Sequence, residues 1–192
     1  MKKRVAVLIS GRGSNMTALI EAARTQDYPA EIVVVVSNRP QALGLVRARE
    51  AGIATALIDH KMFGKDREAF ERALDAELQA KRIEIVCLAG FMRLLTPWFV
   101  NRWSGRMINI HPALLPQFKG LDTHRRALEA GVKQHGATVH FVGVEMDDGP
   151  VIVQEPVAVR EGDTEATLAA RVLEVEHRLY PQALRMVAEG RK

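Results

Sequence analysis

A single cysteine, Cys87, stands among the 192 residues, so no disulfide can close within the chain and packing alone must hold the fold, as suits a reducing compartment. Its thiol falls inside the apolar run Ile85 to Ala89, where a lone cysteine reads as a small core residue rather than a nucleophile. Aromatic residues are scarce, at 5%, and no block of Lys and Arg breaks the sequence. Both absences argue against a nucleic-acid surface, which needs a basic stripe with stacking rings. The net charge of +4 and pI near 9.5 suit attraction of small anions instead. No apolar run approaches the roughly 20 residues that cross a bilayer. The one that follows Met1-Lys2-Lys3-Arg4 ends at Ser10-Gly11, too soon for a secretion signal, so a cytoplasmic protein with no membrane partner is expected. Repeats, linkers and low-complexity stretches are missing too. His60, His124, His135, His140 and His177 are scattered, with neither His-Glu-x-x-His nor Cys-x-x-Cys spacing, so no metal is expected.

What is present is an ordinary globular balance, 47% hydrophobic and 26% charged, enough for one domain over residues 1–192. Continuous apolar runs at Val5–Ile9 and Ile32–Val36 read as strands buried on both faces, and Thr55–Ile58, Ile83–Ala89 and Met107–Ile110 read as further strands. Helical patterns lie between them. They run from Met16 to Ala23, from Ala42 to Ala51 ahead of Gly52, and from Arg67 to Lys81, where Phe70, Leu74 and Leu78 form one apolar face. A further helix opens at Pro97. This alternation predicts an α/β fold with a doubly wound, mostly parallel sheet. The rhythm changes after His111-Pro112. A helix over Thr123–Ala130 precedes two strands, Ala137–Val144 and Val151–Val159, joined by a short polar loop, which predicts an antiparallel strand pair in the C-terminal part. A last helix begins at Thr164 with the stripe Leu168, Val172, Val175 and Leu179, and Pro181 is expected to break or kink it.

Two groups of residues carry chemistry. Gly11-x-Gly13-Ser14-Asn15 joins a strand to a helix, where free backbone N–H groups and the helix dipole favour an anion such as phosphate; a plain tight turn is the alternative. A dinucleotide site is disfavoured, because Met16 replaces the third small residue and Ser37-Asn38 stands where a ribose-binding acid belongs. A P-loop is excluded by the lack of a following Gly-Lys-Ser/Thr. At the end of the Met107 strand, Asn109 and His111 alternate onto one side before Pro112 ends the ladder, so an amide and an imidazole point together beyond the carboxyl end of the sheet. The Asp147-Asp148-Gly149-Pro150 segment can be only a turn, or it can bring a carboxylate to His111 and favour the imidazolium. His140, in an alternating strand, reads as packed or hydrogen-bonded rather than as a ligand.

The run Val7 to Asn15, then Leu88-Ala89-Gly90-Phe91-Met92-Arg93-Leu94-Leu95, then Ile108 to Pro116 with Asn-x-His-Pro-x-Leu-Leu-Pro, resembles the phosphoribosylglycinamide formyltransferases of the wider formyl-folate transferase family. His140-Phe141-Val142, Asp147-x-Gly149-Pro150 and Glu176-His177 extend the resemblance over nearly the whole chain. It implies a Rossmann-like formyltransferase fold, with substrate phosphate held in the N-terminal half and folate binding and catalysis in the C-terminal half. Asn109, His111 and Asp147 would be catalytic. Gly13, Ser14, Asn15 and Glu176 would bind glycinamide ribonucleotide, while Arg67, Met92, Arg93, Leu94 and Leu95, with Asn109, would meet the co-substrate 10-formyltetrahydrofolate. The implied reaction moves a formyl group to the ribonucleotide's amine in purine biosynthesis, by a monomer or homodimer. Asp122 departs from the histidine of some relatives. The alternatives are a formyltetrahydrofolate hydrolase, whose family usually carries an extra N-terminal domain, and a non-catalytic phosphate-binding module, which leaves Asn109, His111 and Asp147 without a role.

Overall fold

A strand apolar at every position needs a layer on each face, and the architecture supplies both. The computed structural model describes residues 1–191. Strand β1 (Lys3–Ile9) divides its side chains between two cores: Val5, Val7 and Ile9 enter one, Ala6 and Leu8 the other. The first core is closed by helices α1 (Ser14–Ala23), α2 (Leu43–Glu50) and α6 (Glu165–Ala188). The second is closed by α3 (Arg67–Ala80), through Phe70, Leu74 and Leu78, and by α4 (Pro97–Arg102), through Phe99 and Val100.

The remaining strands are β2 (Ala30–Ser37), β3 (Ala54–Leu57), β4 (Ile85–Leu88), β5 (Met107–His111), β6 (Gln134–Phe141) and β7 (Val151–Ala158), with α5 (Thr123–Glu129) ahead of β6. They form one sheet in the order β3-β2-β1-β4-β5-β6-β7. The first five strands are parallel; β6 runs antiparallel to β5, and β7 to β6, as the change of rhythm predicts. Chain order reverses between β1 and β4, so the loops that leave them diverge and open a crevice beyond the strands' carboxyl ends.

Three local features differ from the sequence reading. Pro181 does not break α6, which runs unbroken from Glu165 to Ala188. A proline inside a helix costs about 3 kcal/mol. Leu179, Tyr180, Ala183 and Leu184 on either side of it are all buried, and full burial of each large side chain is worth roughly 1.5–3 kcal/mol, so packing wins. Strand β6 begins at Gln134, before the expected Ala137, and leaves the ladder at Phe141, before Val144. A short 3-10 turn, His60–Phe63, capped by Asp59, had no periodic signal to announce it.

Candidate active site

The crevice has three parts, each built by a different set of loops. At the first, Gly13 ends the turn after β1 with φ 71° and ψ 34°, a left-handed conformation that favours glycine. A Cβ there would also stand 3.1 Å from the Gly44 Cα, because α2 is drawn against the turn by the Gly44 N–H donating to Gly11 O at 3.0 Å. Helix α1 therefore starts at Ser14 with no side-chain cap among the described residues, and its leading N–H groups are open to an anion. The next residue, Asn15, donates from Nδ2 to Glu176 Oε1 of α6 at 3.1 Å. Glu176 is only 7% exposed, and burial, opposed by the Asn15 hydrogen bond, pushes its carboxyl up to about 7.

The second part gathers the acid–base groups. Asn109 and His111 lie on β5 opposite His140 and Thr138 of β6. The His111 ring is 5% exposed, with Nδ1 3.4 Å from Asp147 Oδ2 and Nε2 2.9 Å from the carbonyl oxygen of Phe118. Asp147 reaches it from the loop between β6 and β7, where it takes a left-handed φ of 52°, and its Oδ2 also accepts the Gly120 N–H at 2.9 Å. Its neighbour Asp148 is turned outward to an ion pair with Lys119. His140 Nε2 lies 3.3 Å from Asn109 Nδ2 and 3.7 Å from Asp147 Oδ1. Burial, the largest influence on this ring, holds its pKa below the ordinary histidine value.

The third part is an apolar slot. Met92 to Leu95 follow β4, and Met92 and Leu94 are exposed across from the equally exposed Val144 and Met146. Buried Ser10, Asn38 and Glu71, with exposed Arg67, hold this segment. The Met92 N–H donates to Ser10 Oγ at 2.8 Å, and the Ser10 hydroxyl donates to Asn38 Oδ1 at 2.6 Å. Arg67 Nη2 donates to Leu94 O at 2.5 Å, and Glu71, 1% exposed, accepts the Thr96 N–H at 2.7 Å. One cavity of about 730 Å³ runs from Asn15 and Glu176, past Asn109, His111 and Asp147, to the slot.

The structure thus brings together Asn15, Glu176, Asn109, His111, Asp147 and the segment from Met92 to Leu95. Gly13 and Ser14 do not line the cavity; they form the helix start beside it. Arg67 does not line it either; it is exposed and bonds the Leu94 carbonyl at the edge of the slot. Asp122 stands on the wall and pairs with Arg125 at 2.7 Å. Sequence reasoning overlooked Ser10, Asn38 and Glu71 and gave His140 no role at the site. For Ser10 and Asn38 a signal was available, since each is a small polar residue at the carboxyl end of an apolar strand.

An amide, an imidazole and a carboxylate meet at the carboxyl edge of a doubly wound sheet, between an uncapped helix start and an apolar slot, an arrangement suited to group transfer at an acyl carbon. The sequence profile of the formyl transferases matches residues 3–184. Phosphoribosylglycinamide formyltransferase of Escherichia coli is 48% identical over 187 residues, 97% of this chain and 88% of that protein. The human trifunctional purine biosynthetic protein adenosine-3 is 52% identical over 189 residues; the alignment takes in 98% of this chain but 19% of that protein's length. The crystal structure of phosphoribosylglycinamide formyltransferase from Brucella melitensis superposes with a TM-score of 0.94 at 52% identity, covering 100% of this chain and 98% of that one. The chain belongs to the formyl transferase family and, within it, to the phosphoribosylglycinamide formyltransferases.

Proposed function

We propose that this enzyme transfers the formyl group of 10-formyltetrahydrofolate to the amine of glycinamide ribonucleotide, giving formylglycinamide ribonucleotide and tetrahydrofolate. The observation that carries this reading is the meeting of His111 with Asp147, 3.4 Å apart, beside Asn109 and midway along one cavity that joins two unlike ends. The open N–H groups at Ser14 suit a phosphate, and Glu176 beside Asn15 suits the hydroxyls of a sugar. The slot between Met92, Leu94, Val144 and Met146 suits a flat pterin ring, whose anionic tail would run toward Arg93 and Arg67.

In the chemical step a bond forms between the neutral amine and the formyl carbon while the carbonyl oxygen takes up the electron pair. When that pair returns, the bond to the folate nitrogen breaks. The folate nitrogen gains a proton and the new amide nitrogen gives one up. An N–H of Asn109 would meet the oxygen as its charge grows. Both ring nitrogens of His111 face oxygen acceptors, Asp147 and the Phe118 carbonyl, an arrangement that a doubly protonated ring satisfies. His111 lines the cavity beside Asn109 and would take up or supply the exchanged proton there. Asp147 holds the ring through Nδ1 and can steady a water that carries the exchanged proton.

Loss of one oxyanion donor costs about 10²–10³ in kcat and loss of the acid–base group about 10²–10⁴. Asn109→Ala should therefore lose about 10²–10³, and His111→Ala and Asp147→Asn about 10²–10⁴, with KM for either substrate little changed. Steady-state kinetics with purified substrates checks this, and near-normal turnover in His111→Ala or Asp147→Asn sinks the assignment. Folate deformylation measured with and without glycinamide ribonucleotide separates a transferase, which turns over only with the amine, from a hydrolase, which needs only water.

A further inference from the structure

An asparagine side chain has nearly the same shape whichever way its amide is turned, so packing does not choose between N–H and C=O at a given spot; hydrogen-bond partners do. If Asn109 is to offer a donor to a developing oxyanion, something must hold its nitrogen end in place. The partner on its ladder neighbour is His140, which is 2% exposed. Nδ1 of that ring lies 2.8 Å from the carbonyl oxygen of Phe141, the next residue in the chain. A carbonyl only accepts, so Nδ1 carries the proton, and in a neutral ring Nε2 is left as a bare lone pair. That lone pair lies 3.3 Å from Asn109 Nδ2.

We propose that His140 is a positioning residue for formyl transfer: its Nε2 accepts one N–H of Asn109 and so fixes the carboxamide with its nitrogen, and the second N–H, available to the reacting carbonyl. Turned the other way, the amide would set its oxygen against the His140 lone pair and present an oxygen to a growing negative charge. The charged and titratable groups that face the His140 ring are Asp147, with Oδ1 at 3.7 Å from Nε2, and His111. Asp147 offers that nitrogen no proton as a carboxylate, so it does not compete with Asn109 as a donor. The neutral ring agrees with the burial described above. A backbone carbonyl thus selects a tautomer, and the tautomer selects the orientation of an amide. His140 does not itself touch the reacting atoms.

The inference rests on Asn109 being the oxyanion donor, and a double-mutant cycle separates the two claims. kcat, both KM values and the melting temperature are measured for the wild type, Asn109→Ala, His140→Leu, the double variant and His140→Gln. His140→Leu, which removes the acceptor, should lower kcat by about 10- to 10²-fold, short of the loss of the donor itself. Both KM values should stay within roughly twofold, and in the Asn109→Ala background the same change should cost no more than about twofold, because the group it orients is gone. His140→Gln, whose Oε1 can take the Asn109 N–H, should restore most of the turnover. An equal loss from His140→Leu in both backgrounds, or a rise in KM at unchanged kcat, overturns the inference while leaving Asn109 in its role. Unchanged kcat in Asn109→Ala overturns the reading beneath it. Should His140→Leu melt too low to assay, His140→Gln decides alone: turnover near wild type supports positioning, and turnover as low as that of Asn109→Ala refutes it.

Discussion

Glu176 is the residue whose environment and chemistry are most at odds: a carboxyl proposed to meet the substrate, buried on α6 with Asn15 as its hydrogen-bond donor. Its pKa rises on folding from the ordinary 4.5 to about 7, so the folded protein holds this proton more tightly than the unfolded chain does. The stabilisation that follows is fully present below the unfolded value of 4.5 and is lost as pH climbs through about 7. Glu176→Gln keeps a neutral side chain at every pH. Without substrate, the wild type should lose stability relative to this variant between about pH 4.5 and 7, by up to about 3 kcal/mol. Urea denaturation of both proteins across that range checks it, and parallel pH dependences would refute it. Sequence alone offered Glu176 as a binding residue by resemblance. Its burial depends on the docking of α6 against α1, which no local pattern reveals.

The element that aims Asp147, the carboxylate proposed to act with His111, is the turn between β6 and β7. It is pinched shut: a Cβ on Gly149 would fall 1.6 Å from the Phe141 carbonyl oxygen, while the Phe141 N–H donates to Pro150 O at 2.9 Å. Strand β6 ends at this pinch, with Val142 N–H still donating to Met107 O at 2.9 Å, and the loop beyond it brings Asp147 back to His111. Gly149→Ala must open it, so we expect a lower melting temperature and a loss of kcat approaching that of Asp147→Asn, with the melting curve and steady-state rates as the measurements. The strands were legible in the sequence because a parallel sheet covered on both faces demands unbroken apolar runs, and Val5–Ile9 and Ile32–Val36 are such runs. Asn109 and His111 were legible as a pair through strand alternation. The link between Asn109 and His140 was not, since it depends on the register between β5 and β6, and the Met92–Ser10–Asn38 chain spans three strands that are distant in sequence.

Across the whole molecule, Tyr180 ties the last helix to the middle of the sheet. Its buried hydroxyl lies 2.8 Å from Leu88 O of β4 and 3.1 Å from Ile108 O of β5, directly below the strand ends that carry the site. Tyr180→Phe keeps the ring's packing and withdraws the donor from two buried carbonyls, so stability should fall by about 1–3 kcal/mol. A lower urea midpoint with an unchanged slope is the expected result, and an unshifted midpoint would count against it. No helix among the described residues is long and apolar enough to cross a membrane.

The contact of Asn15 with Glu176 joins the second residue of the first helix to the last helix of the fold, 161 positions later. The helix start proposed to take the phosphate and the carboxylate proposed to meet the sugar therefore come from opposite ends of the chain, and they face one another only once the final helix docks. Substrate recognition would switch on in the last moments of folding.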